Sequence, residues 1–86
     1  MIGERGGRLF AERRFLEAHE AWEEEWRAEA PGQTRELLRA LAQAAAACVH
    51  AERGNERGAR SLAAKCLPAL EAARFPLVLA ELRQYA

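Results

Sequence analysis

β-Branched residues are nearly missing from this sequence. Ile2, Thr34, Val49 and Val78 are the only four in 86 residues. Strands draw on such side chains, and no alternating pattern is present, so a sheet is excluded. Asp is absent, and every one of the 13 acids is Glu. Lys65 is the only lysine, and the 13 Lys plus Arg cancel the acids. Whole-molecule attraction to nucleic acid or to an anionic membrane is therefore not expected. No apolar run approaches the ~20 residues that span a bilayer. The start, Met1-Ile2-Gly3-Glu4-Arg5, lacks the apolar stretch of a signal peptide. Two cysteines, Cys48 and Cys66, stand alone without a C-x-x-C pair. They read as buried small hydrophobes in a reducing compartment, the cytoplasm. Ser61 is the only serine and has no motif around it, which excludes a serine nucleophile.

What remains is helical. Ala, Glu and Arg dominate, and all three favour helix. Turn signals fall at Pro31-Gly32, Gly54-Asn55 and Phe75-Pro76. They divide the chain into about five helices in one domain, 1–86, an all-α single compact multi-helix bundle. The first helix is expected over roughly Glu4 to Arg13, weakened by Gly6 and Gly7. The second, Phe15 to Ala28, carries Phe15, Ala18, His19, Trp22 and Trp26 on one apolar face. The third begins after Gly32 with Thr34 as its N-cap and ends near Arg53, with Leu37, Leu41, Ala45 and Cys48 as its stripe. Ala44 to Ala47 is small on every side, which suits a central helix. The fourth starts at Asn55 as N-cap, with Leu62, Cys66, Ala69, Leu70 and Ala73 facing inward. Pro68 removes the hydrogen bond to Ala64 at a cost of roughly 3 kcal/mol, so a kink or break is expected there. The fifth begins at Pro76 with Phe75, Val78, Leu79 and Leu82 as its stripe.

Charge is uneven along the chain. Glu17 to Glu29 holds six Glu and one Arg, whereas Ala30 to Arg60 holds five Arg and three Glu. The plain reading is a solvated acidic face on the second helix.

The stretch with chemical content is Ala18-His19-Glu20-Ala21-Trp22-Glu23. His19 and Glu23 are one turn apart, so their side chains can meet, while Glu20 points about 100° away. His-Glu-x-x-Glu lacks the second histidine of the zincin motif, and a closed metal site needs about four ligands. No metal and no cofactor are expected. His50 lies on the side of Arg39 and Gln43; if that side packs on the second helix, it reaches His19 and Glu23. The bland alternatives are a core His19 satisfied by Glu23 or a backbone carbonyl, and a surface His50 at a helix C-terminus. Trp22 and Trp26 are core anchors, unless an exposed Trp26 marks an interface.

The segment from Phe15 to Trp26 resembles the signature of the small bacterial and archaeal family catalogued as domain of unknown function 309. That signature has an aromatic and an apolar residue, then Glu-Ala-His-Glu, an apolar residue, Trp and Glu. A second block, Leu41 to Ala47 followed by His50, Gly54-Asn55 and Gly58-Ala59, is similar as well. The resemblance covers roughly Gly7 to Leu70. It departs at Arg13-Arg14, where a Gly-containing turn is common, and at Pro68. It implies an all-helical fold without an established activity, and it groups His19, Glu23, His50 and Asn55 into one polar cluster.

Two functions compete. The first is a small helical interaction or scaffolding domain that forms a homodimer, with the His/Glu cluster as a buried network that fixes helix register. Its dimer contact is expected on the fifth helix, through Leu79 and Leu82. The second is an acid–base or metal-assisted, hydrolase-like enzyme. In it His19 is the base or a ligand, Glu23 orients it, and His50 is a second acid or ligand.

Overall fold

A computed structural model describes residues 2–73 and 75–85. Five helices follow in order: α1 Glu4–Ala11, α2 Phe15–Ala28, α3 Gln33–Glu52, α4 Glu56–Ala73 and α5 Pro76–Arg83. No strand occurs among the described residues. α3 touches α2 on one side, α4 on the other, and α5 as well; α1 lies on α2. Ala44, Ala45 and Ala47 are fully buried. Their small side chains are what lets α3 take neighbours on several sides.

The core runs through every helix. Phe10, Phe15 and Trp22 form an aromatic cluster, with Phe10 edge-on to Phe15 at 4.9 Å between centroids. Leu38, Leu41, Leu70 and Leu82 fill the centre, all with no exposed surface. Leu38 lies outside the expected stripe of α3, while the expected Leu37 is only half-buried. A helix buried on several sides has no single stripe to read. Ala69, expected inside α4, is exposed.

Gly6 does not weaken α1; it seats it. A Cβ at this position would overlap the indole of Trp22. Gly3 completes the seat. Its carbonyl accepts a hydrogen bond from Trp22 Nε1 at 3.0 Å, and its N–H donates to Glu25 at 3.0 Å. Gly3 has a φ of 73°, which its lack of a side chain permits.

Four local features differ from the expected ones. α1 ends at Ala11 rather than Arg13, because Arg13 takes a left-handed φ of 61°. Arg13 N–H then donates to Phe10 and Arg14 N–H to Leu9, which closes the helix with a Schellman pair. Thr34 is not the N-cap of α3; Gly32 holds that place, with a φ of 150° and ψ of −172° that only glycine adopts readily. α4 runs unbroken through Pro68. Pro68 faces solvent, and Cys66 and Leu70 anchor the helix on either side of it. Last, α5 is not an uncovered element. Val78, Leu79 and Leu82 are 3%, 8% and 0% exposed within a single chain. The dimer contact expected through Leu79 and Leu82 is therefore corrected: these residues close the bundle, and on α5 only Leu77 remains a large exposed hydrophobe, at 64%.

Candidate functional site

His19 projects from α2 toward α3. Its Nδ1 lies 2.9 Å from the carbonyl oxygen of Ala42. A carbonyl only accepts, so Nδ1 carries the proton and donates. Nε2 lies 3.0 Å from a carboxylate oxygen of Glu23, one turn along α2. That contact is an ion pair whenever the ring holds its second proton. The other oxygen of Glu23 pairs with Arg27, a further turn along. A chain Arg27–Glu23–His19–Ala42 thus runs down α2 and crosses to α3. The side chains of His19 and Glu23 are each a little over a quarter exposed, so the chain is neither open nor sealed.

His50 sits elsewhere. It is eight residues beyond Ala42 on the same helix, about 12 Å along the axis. Its Nδ1 lies 3.1 Å from Nδ2 of Asn55. The turn that carries this pair closes α3: Gly54 N–H donates to Ala51, and Asn55 N–H donates to His50, with Gly54 at a φ of 80°. Asn55 Oδ1 accepts from Gly58 N–H at 3.0 Å, which caps α4. The four residues grouped as one cluster are thus two pairs, His19 with Glu23 and His50 with Asn55. No hydrogen bond or ion pair joins the two pairs among the described residues. Glu20 is exposed and belongs to neither pair; it borders a charged groove between α1 and α2 with Arg5, Arg8 and Glu24.

The tryptophans part company too. Trp22 is fully buried. Trp26 is half-buried, and the guanidinium of Arg35 on α3 lies 4.9 Å above its ring. The buried indole N–H of Trp26 has no hydrogen-bond partner among the described residues.

Ala42, Arg27, Arg35 and Gly3 are not among the candidate residues of the sequence, and Gly6 reads there only as a weak point of the first helix. Arg27 was within reach, since it stands at i+4 from Glu23 as Glu23 does from His19. A backbone carbonyl such as that of Ala42 carries no sequence signal.

Both cysteines are free and buried. Burial pushes the Cys48 thiol up to about 12 and the Cys66 thiol up to about 11. Neither forms a reactive thiolate near neutrality. Among the described residues, no group of three or more His, Cys, Asp or Glu is placed to hold a metal ion.

The family can now be assigned. The sequence profile described as domain of unknown function (DUF309) matches residues 4–62. The chain belongs to this family. The match spans α1 to the first turns of α4, so it begins earlier and ends earlier than the stretch read from the motifs. Comparison with curated proteins and with solved structures gave no match. DUF309 carries no assigned activity, so the reading of function rests on the two polar pairs and on the surface.

Proposed function

We propose that this chain is a small helical interaction domain that self-associates, and that His19 and Glu23 form a hydrogen-bonded fastener between α2 and α3. One observation carries the reading. Nδ1 of His19 is spent on the Ala42 carbonyl and Nε2 faces Glu23. A general base needs a free nitrogen within reach of a substrate proton, and this ring offers none while the fastener is closed. His50, the second acid of the enzyme reading, is engaged with Asn55 at the other end of α3.

Self-association is supported by apolar surface that one chain leaves open. Ile2, Leu16 and Leu77 are 47%, 50% and 64% exposed, and a small-residue seam between α3 and α4 lies uncovered. A cytoplasmic setting is supported by the two free thiols. No helix among the described residues is long and apolar enough to cross a membrane.

The test replaces His19 by Ala. Loss of the inter-helix hydrogen bond leaves the Ala42 carbonyl with only its helical donor one turn on, and stability falls by about 0.5–1.5 kcal/mol, read from urea unfolding. An unchanged unfolding midpoint contradicts the fastener. Sedimentation of the wild-type chain then reads self-association directly.

A further inference from the structure

Two grooves run along the outer seam between α3 and α4, and they share Glu36 and Ala69. The larger encloses about 790 Å3 and includes Leu37, Ala72 and Ala73. The smaller, about 290 Å3, adds Arg39, Ala40 and Lys65. The floor is thus aliphatic and low, and α5 lines neither groove. Low side chains let another helix pair approach closely. The rim carries both signs of charge. Glu36, Arg39 and Lys65 make no ion pair within the chain among the described residues.

We infer that this seam is the self-association surface. A second copy lays its own α3–α4 seam across the first, related by a two-fold axis, and Glu36 of each copy meets Lys65 of the other. The inference rests on the self-association reading above and locates it. A second copy is the occupant because the rim is self-complementary. Under a two-fold axis each copy supplies the acid that the other copy's cation lacks. A partner of one charge would satisfy only half the rim. The groove between α1 and α2 also carries both signs, but there Arg14 is already paired with Glu12 and Glu17 inside the chain.

Sedimentation equilibrium on the full chain tests this. The wild type should give twice 9.6 kDa at micromolar concentration. Ala69→Arg fills the shared floor and should raise the dimer dissociation constant about tenfold or more. Ala69 is exposed, so circular dichroism of this variant should match the wild type. Glu36→Lys and Lys65→Glu should each weaken the dimer, and the double variant should recover toward wild type because the pair is restored with its signs exchanged. A wild-type mass of one chain across the concentration range overturns both self-association and the seam. A dimer indifferent to Ala69→Arg overturns the seam alone. A double variant weaker than either single one overturns the Glu36–Lys65 pairing.

Discussion

The two flanks of α3 are held in different ways. On the α2 flank the contact is directional: His19 donates to Ala42, and Arg35 covers Trp26, while Trp22 anchors α2 beneath α1. On the α4 flank no side-chain hydrogen bond or ion pair links the two helices among the described residues. There α4 offers Ala59, Ala63, Cys66 and Leu70, all buried. On α3, Ala40, Ala44 and Ala47 fall at i, i+4 and i+7, a matching run of small residues. Among the described residues, the polar device on that side is the turn from His50 to Gly58. Small residues give close approach but little register, since one alanine fits where another did. Directional bonds fix register because a shifted helix loses them. The α2 flank therefore carries specificity, and the α4 flank carries proximity and an uncovered seam.

The largest expected effect breaks the α2 flank. Trp22→Ala should cost about 3–5 kcal/mol, measured by urea unfolding. It empties the space between α1, α2 and Leu41 and removes the bond to Gly3. That is a large share of the roughly 5–15 kcal/mol available to a domain. A loss below 1 kcal/mol, read in the same way, would mean that α1 is held by something else.

Next comes the thiol pair inside the core. Burial raises Cys48 to about 12 and Cys66 to about 11, against 9.0 when free. Above pH 9 the unfolded chain releases these protons and the folded chain keeps them. Unfolding is then favoured, so the stabilising effect of the neutral thiols is complete below pH 9 and declines as pH rises toward 11 and 12. Urea midpoints at pH 8 and pH 10.5 should show the fall. A Cys48→Ala, Cys66→Ala variant should show a shallower one. At pH 8 a thiol reagent should label both cysteines only after denaturation. Rapid labelling of the native chain would contradict their burial.

The smallest effects concern the α4 flank and sharpen the contrast between the histidines. Asn55→Ala removes the cap of α4 and should cost about 1 kcal/mol. His50→Ala keeps that cap and should stay within about 0.5 kcal/mol. A thermal melt of both variants beside His19→Ala should rank them with His19 as the more costly histidine. His50 as the more costly one would reverse the assignment of the two pairs.

Much of this architecture is legible in the sequence. The turn at Gly54-Asn55 was readable because glycine at C′ and asparagine at an N-cap have local causes, and both act there as such. The i+4 spacing of His19 and Glu23 gave their contact for the same reason. What escaped was non-local. Arg13 takes a left-handed conformation that a glycine would occupy more easily. The compensation comes from 68 residues away, where its guanidinium meets Glu81 at 3.0 and 3.2 Å. It also lies 5.0 Å over the ring of Phe15. Gly6 looked like a weak point in α1 because Trp22 approaches it only in the folded chain. The grouping of His50 with His19 failed on distance along α3, since His19 reaches the carbonyl of Ala42, eight residues and about 12 Å before His50, and a helical wheel discards axial position. The exposed α5 failed on the way the bundle closes.

The fastener at His19 is tested most directly by the long-range 1H–15N correlation spectrum of its imidazole ring in the folded chain. The account predicts a proton resident on Nδ1, slow to exchange with water, and released to fast exchange when the chain is unfolded. An Nδ1 that is unprotonated in the folded chain, or that exchanges as fast as a free imidazole, would contradict the bond to Ala42 and return His19 to the enzyme reading.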